Sequence, residues 1–236
     1  KLASCRGLMY QDLGIRTTSG YIVDLVRNLD PSKWPDLWRM LFEILDNSIY
    51  DNSAKCGALL AFHEILDSSS PANIPKDGQL NLIVKIMQLI TSDREQDTEF
   101  YKNCLELMAL LIEKGHLIQT EEQVAQILQI LNVFFESSDC ILLSASCSVL
   151  RALCKSCIHT LSASMDWIFQ MVAKTLDSEM VENEFFLFWE IVAKEEHKAH
   201  ETWITSKSAK TVFDEVIRKI DIEDLNNGAA PCLTAM

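Results

Sequence analysis

Apolar residues recur at helical spacing in several runs along the chain, and short polar breaks separate these runs. In the first run, Leu37, Met40, Leu41 and Ile44 show the interval of three or four residues that places side chains on one face of a helix. Four breaks begin at residues 45, 90, 135 and 176, so they lie 45, 45 and 41 residues apart. This spacing falls in the range of roughly 40–47 residues found in repeats that contain two helices each. The pattern therefore predicts an all-α chain of about four helical pairs.

The same pattern divides the chain into three parts. Residues 1–33 form an N-terminal segment with a short amphipathic helix over 21–29, residues 34–222 form the helical repeat domain, and residues 223–236 form a flexible tail. Within the repeat domain, helices are expected over 140–157, 162–176 and 182–200, with a closing helix near 207–220.

Polar residues beside the breaks supply signals for helix starts and loops. Asp51, Asn52 and Ser53 are residues that favour the N-cap of the helix that follows them. Thr120 and Gln123 have the spacing of a capping box, in which each side chain accepts a hydrogen bond from the other residue's backbone N–H. Residues 68–78 combine three serines, two prolines and a glycine, so we expect a loop there.

Composition agrees with an all-α domain. The 236 residues are 48% hydrophobic and 23% charged, which is ordinary for a globular protein with a sizeable core. All-β folds need many tight turns, and the chain has only 7 Gly and 5 Pro.

The net charge of −13 narrows the classes of partner. A protein that binds nucleic acid needs a basic stripe, and the densest basic feature, residues 207–210, is too sparse. An anionic membrane surface would repel the chain, and no apolar run approaches the ~20 residues of a membrane span. The acidity fits either a solvated face or a basic partner.

Cysteine usage indicates a reducing compartment, the cytoplasm or the nucleus. Most cysteines lie inside apolar helical runs, where a free thiol behaves as a small hydrophobic group. The Cys154–Cys157 CxxC motif lies near a helix end, so buried core is the favoured interpretation and a redox or metal site is the alternative. The chain begins at Lys1 without a signal-peptide pattern, which predicts a fragment of a longer intracellular protein. The eight cysteines are Cys5, Cys56, Cys104, Cys140, Cys147, Cys154, Cys157 and Cys232.

Motifs for catalysis are missing from the sequence. The glycines are scattered, so no phosphate-binding loop is predicted, and His63-Glu64 lacks the second imidazole of a metalloprotease motif. His197, His200 and Glu201 could hold a divalent ion weakly, but a polar helix end is the favoured interpretation. We therefore expect no enzyme activity, no metal and no cofactor.

The run Phe185-Phe186-Leu187-Phe188-Trp189 places large apolar side chains on every side of a helix. A helix that is apolar all round is buried on all sides. Either the closing helix near 207–220 covers this run, or part of the run is a docking surface. In the second case Phe186, Trp189 and the nearby Trp203 are candidate anchors for a partner, because exposed aromatic residues are typical interface hot spots.

The pattern of paired helices and breaks over residues 34–220 resembles the armadillo/HEAT class of α-solenoids. HEAT repeats commonly carry aspartates between their paired helices. The Arg found early in many second HEAT helices is missing, and the Gly-rich turn of armadillo repeats is absent. The aspartates at the corresponding breaks here are Asp46, Asp93, Asp139 and Asp177.

The resemblance implies a right-handed α-solenoid whose second helices line a concave face. Polar stripes on these second helices are then candidate contacts, and a solvated face is the alternative for each of them. The stripes are Glu99, Lys102, Asn103 and Glu106 in the second pair, Ser144, Ser148, Arg151 and Lys155 in the third, and Glu190 and Lys194 in the fourth.

The predicted function is a non-enzymatic protein–protein interaction scaffold or adaptor. It would bind a partner peptide or helix on its concave face or on its aromatic C-terminal repeat. One alternative is a transport-receptor-like carrier of a basic cargo. Another is a helical regulator, of the exchange-factor or GTPase-activating type, that acts on a nucleotide-binding enzyme.

Overall fold

A computed structural model describes residues 37–68, 76–92, 97–115, 120–177 and 180–199, together with short pieces at 7, 12, 14, 20–21, 210–214 and 217–218. Of these described residues, 91% are helical and none is in a strand. The all-α prediction is therefore confirmed.

Eight α-helices account for most of the described chain. They are α1 (Leu37–Asp46), α2 (Asn52–Ser68), α3 (Lys76–Ser92), α4 (Thr98–Gly115), α5 (Glu121–Phe135), α6 (Cys140–Leu161), α7 (Met165–Ala173) and α8 (Glu182–Ala199). A 3-10 turn over Ser162–Ser164 joins α6 to α7, and a second one over Lys174–Asp177 follows α7.

Polar residues in the breaks end one helix and start the next. The Asp51 carboxylate accepts from the Ala54 N–H at 2.9 Å, and the Asp139 carboxylate accepts from the Ile141 N–H at 2.9 Å. The capping box of Thr120 and Gln123 is present with both of its hydrogen bonds. These caps satisfy N–H groups that have no partner inside the helix, so the local sequence fixes where α2, α5 and α6 begin.

Two predicted boundaries differ from the structure. The expected loop at 68–78 is wrong at both ends, because Ser68 belongs to α2 and Lys76–Gly78 already form the first turn of α3. The helix expected over 140–157 continues to Leu161 through a kink at Cys157, where φ is −153° and ψ is 41°. Apolar spacing continues on both sides of this kink, which explains why α6 outlasts the predicted end.

Several predictions lie outside the described residues. They include the helix over 21–29 apart from Tyr21, the domain bounds at 33 and 222, and the tail at 223–236. Residues 210–214 and 217–218 are helical and fall inside the closing helix predicted near 207–220.

The chain divides into two compact units, Lys1–Leu117 and Ile118–Met236. In the first unit, α1 packs on α2, α3 packs on α4, and α2 also packs on α4. The Lys114 ammonium of α4 reaches the C-terminal end of α2, where it donates to the Leu66 carbonyl at 3.2 Å and to the Asp67 carboxylate at 2.9 Å. This hydrogen bond lowers the pKa of the Asp67 carboxyl.

In the second unit, α5 packs on α6, α7 packs on α8, and α6 packs directly against α8. Helix α5 also contacts α7. This second unit brings together most of the candidate residues.

One segment, Cys140–Leu176, is long and apolar enough to cross a membrane by length and composition alone. This corrects the expectation that no such run exists in the chain. In the most apolar part of this segment 61% of the residues are buried inside the structure, and core helices of soluble proteins can have the same length and composition. The segment is therefore weak evidence for a membrane span.

Candidate interaction face

Helices α6 and α8 are held in register by a hydrogen bond between their side chains. The Ser144 hydroxyl of α6 donates to one carboxylate oxygen of Glu184 in α8, at 2.8 Å. Both residues are half-buried, so the bond lies at the seam between the helices. It joins the second turn of α6 to the first turn of α8.

An ion pair strengthens the same seam. The Arg151 guanidinium contacts the second carboxylate oxygen of Glu184, and its other nitrogen donates to the Ser148 hydroxyl at 2.9 Å. The two charged side chains are only 20% and 14% exposed. A single carboxylate thus accepts from two residues of α6, which restricts the rotation of α8 relative to α6.

Beside this polar network, aliphatic side chains remain exposed to solvent. Ile141 of α6 is 51% exposed, Leu187 of α8 is 38% exposed, and Ile191 is half-buried. Together with the polar residues around them they form one surface, which we call the α6–α8 face. It comprises Ile141, Ser144, Ser148, Arg151 and Lys155 of α6, and Glu184, Leu187, Glu190, Ile191 and Lys194 of α8.

Most of the polar residues that the sequence singled out in the second unit lie on this face. Ser148 and Arg151 are in the network, Lys155 is exposed, and Glu190 forms an ion pair with Lys194 one helical turn away. Their i, i+3 and i, i+4 spacing put them on one side of each helix, as expected.

The aromatic candidates lie elsewhere, which corrects the docking interpretation of this run. Phe186 is 0% exposed and Trp189 is 1% exposed, so neither side chain is available as a surface anchor. The ring centroids of Trp189 and Phe169 of α7 lie 5.2 Å apart, and those of Trp189 and Phe188 lie 5.3 Å apart. Helices α6 and α7 pack against α8 and leave only Leu187 of the five-residue run exposed. Trp203 lies outside the described residues.

The candidates in the first unit form no comparable surface. Asn103 of α4 is only 7% exposed, which corrects its assignment as a surface contact. Glu106 is half-buried and forms an ion pair with Lys102 at 3.5 Å.

Two cysteines of α6, Cys147 and Cys154, are buried, and Cys157 is half-buried. Burial raises the pKa of Cys147 to about 12 and that of Cys157 to about 11, and it also raises the pKa of Cys154. A thiol with a raised pKa supplies little of the thiolate that redox chemistry and metal binding need. The burial of these thiols therefore favours the interpretation that the CxxC motif is part of the hydrophobic core.

No cluster of three or more His, Cys, Asp or Glu side chains that could hold a metal ion occurs among the residues placed by the structure. His197 is exposed at the end of α8, whereas His200 and Glu201 lie outside the described part of the chain.

Sequence reasoning missed four residues of the face: Ile141, Glu184, Leu187 and Ile191. Glu184 was overlooked because its partners are 33 and 40 residues away. Ile141 and Leu187 were missed as exposed positions, because an aliphatic residue in an apolar run looks the same whether it faces inward or outward. The repeat offset of 41 residues between the third and fourth breaks was the available signal, since it places Ser144 beside residue 185.

Comparison of the chain with protein-family models, curated proteins and solved structures finds no match.

Proposed function

We propose that the protein is a non-enzymatic interaction scaffold whose armadillo/HEAT-like helical pairs stack as a right-handed α-solenoid. The observation that carries this proposal is the packing order inside each unit. In the first unit α2 packs on α4, and in the second unit α6 packs on α8. Each contact joins the second helices of consecutive pairs, which is how stacked repeats bury a continuous core.

The binding surface that we propose is the α6–α8 face, with a peptide or helix of a partner protein as its ligand. The Glu184 network fixes the two helices before a partner arrives, so little conformational freedom is lost on binding. Exposed Ile141 and Leu187 supply apolar contact area, and the hydroxyl groups between them supply hydrogen bonds.

The aromatic cluster supports this face from below. We define the cluster as the rings of Phe169, Phe185, Phe186, Phe188 and Trp189. Its rings pack edge-to-face or tilted at centroid distances of 5.2–6.3 Å. A rigid core under α8 keeps Leu187 and Glu190 in fixed positions on the outer side.

The test is affinity capture with three forms of the protein: wild type, Leu187→Asp and Val133→Asp. Val133 is a matched control because it is an exposed apolar residue of the same unit, 66% exposed on α5 and outside the face. We expect a specific partner to be captured by wild type and Val133→Asp but lost with Leu187→Asp, while circular dichroism shows all three folded. Capture that Leu187→Asp leaves unchanged would rule out this face as the binding surface.

A further inference from the structure

Helix α3 of the first unit has one apolar side in the core and a second one on the surface. Leu82, Ile86 and Leu89 are at most 5% exposed, so they form the inner side. On the outer side Leu80 is 37% exposed and Val84, one helical turn further on, is 53% exposed. We call this outer side the α3 stripe, and it comprises Leu80, Asn81, Val84, Met87, Gln88 and Thr91.

The α3 stripe contains no charged residue. Residues 78–92 include one charged side chain, Lys85, whereas the chain average of 23% would give three or four in such a stretch. Lys85 lies beside the stripe, where it forms an ion pair with Asp46 of α1 and has only 19% of its side chain exposed. The Thr91 hydroxyl donates to the Met87 carbonyl of the same helix at 2.9 Å. Depletion of charge is typical of the buried centre of protein–protein interfaces, so this composition indicates a surface that another chain covers.

The acidity of the chain indicates which occupant fits an uncharged stripe. Two copies with a net charge of −13 each repel one another, so they approach most closely where their surfaces carry no charge. A contact about a two-fold axis uses the same patch on both copies. The apolar side chains of the stripe would then meet each other, and the Asn81 and Gln88 amides both donate and accept, so they can pair with the amides of the other copy.

The size of α3 limits the strength of such a contact. The helix has 17 residues. At ~1.5 Å per residue its outer side is a strip about 25 Å long and about 10 Å wide. A stable interface buries roughly 800 Å² on each partner, which is more than this strip supplies. Association through α3 is therefore weak and needs a high protein concentration.

From these observations we infer that the α3 stripe is the contact surface of a weak symmetric dimer, in which the same stripe of a second copy of this chain covers it. The inference goes beyond the proposed function, because it concerns the first unit and does not involve the α6–α8 face.

Sedimentation velocity over a series of protein concentrations tests this dimer. The forms compared are wild type, Val84→Asp, Gln88→Glu and Ile49→Asp, each checked for folding by circular dichroism. Ile49→Asp is the matched control, because Ile49 is an 85% exposed apolar residue of the same unit that lies after α1 and outside the stripe. Gln88→Glu alters an exposed side chain without changing its size, so it serves as the test variant should Val84→Asp unfold.

We expect wild type to dimerise with a dissociation constant below about 1 mM. Val84→Asp should weaken the dimer at least tenfold, because the contact would place a carboxylate of each copy against apolar side chains. Gln88→Glu should weaken it too, since it puts like charges into the contact. Ile49→Asp adds the same charge outside the stripe and should have a much smaller effect. Raised salt should strengthen the wild-type dimer, because salt screens the repulsion between two acidic chains.

Each of four results would overturn the inference. If wild type stays monomeric up to about 1 mM, a second copy does not occupy the stripe, and a different protein or solvent does. If Val84→Asp and Gln88→Glu are folded and associate as well as wild type, the copies meet through another surface. If Ile49→Asp weakens the dimer as much as Val84→Asp, added charge acts without regard to the stripe. If raised salt dissociates the dimer, complementary charges hold it together, and the stripe has none to supply.

Discussion

Phe186 and Leu187 are neighbours in the sequence but occupy opposite environments in α8, so alanine substitution at both positions tests the burial of the aromatic cluster. Phe186 is 0% exposed and its ring centroid lies 5.5 Å from that of Phe185, whereas Leu187 is 38% exposed. Replacing a buried phenylalanine by alanine lowers the free energy of unfolding by about 3–5 kcal/mol, since it loses apolar burial and leaves a cavity. Leu187→Ala removes three carbons that are about 62% buried, which at ~0.8 kcal/mol per buried carbon gives about 1.5 kcal/mol.

Urea denaturation followed by tryptophan fluorescence measures this contrast. With a denaturant slope of about 2 kcal/mol per molar, Phe186→Ala should lower the unfolding midpoint by about 2 M and Leu187→Ala by less than about 1 M. The five tryptophans of the chain all contribute to the fluorescence, and one of them, Trp189, lies in the same cluster as Phe186. The reasoning is refuted if Leu187→Ala shifts the midpoint as much as Phe186→Ala, or if Phe186→Ala shifts it by less than about 0.5 M.

Three further predictions follow from contacts in the two units. Lys114→Gln should lower stability by about 0.3–1 kcal/mol, because it removes a cation from the C-terminal end of α2. Part of this loss of stability should disappear as the pH falls below 3.8. Lys114 lowers the pKa of the Asp67 carboxyl in the folded state, and this interaction stabilises the fold only while the carboxylate is ionised. Urea unfolding midpoints of wild type and variant at pH 7 and pH 3 measure the loss and its pH dependence. A double-mutant cycle of Arg151→Met and Glu184→Gln should give a coupling of about 1–3 kcal/mol in thermal unfolding, and additive effects would contradict the half-buried ion pair. Cys147 should resist a thiol reagent at pH 8 until the protein unfolds, which mass spectrometry can follow. The free energy of unfolding should also fall above about pH 9. In that range the Cys147 thiol ionises in the unfolded chain but stays protonated in the folded chain up to about pH 12.

Local features of the fold could be predicted from the sequence because they depend on residues close together in the chain. The capping box at Thr120 and the break before Cys140 both involve neighbours within a few residues, and both occur as expected. The loop predicted at 68–78 is too long, because glycine and proline lower helix propensity without excluding a first helical turn. Gly78 is accordingly found in the first turn of α3.

The sequence could not predict which residues of the aromatic run face the core. Five consecutive apolar residues contain no polar residue that would mark the solvent-exposed side of the helix. Burial of Phe186 and Trp189 depends on α6 and α7, which approach α8 only in the folded unit. Leu187 remains on the outer side of α8, since consecutive residues such as 186 and 187 point about 100° apart around a helix.

The contact between α6 and α8 can be compared with the spacing of the breaks in the sequence. The breaks at 135 and 176 predict that equivalent positions in the third and fourth pairs are 41 residues apart, and the structure joins Ser144 to Glu184, which are 40 apart. The spacing of the breaks therefore predicts this one contact to within one residue. It does not give the partners, because the Arg151 side chain reaches back along α6 to the same carboxylate, across a separation of 33 residues. The polar contacts of the α6–α8 face are therefore set by individual side chains. Changes at Glu184 should alter the rigidity of the face without removing the helices that form it.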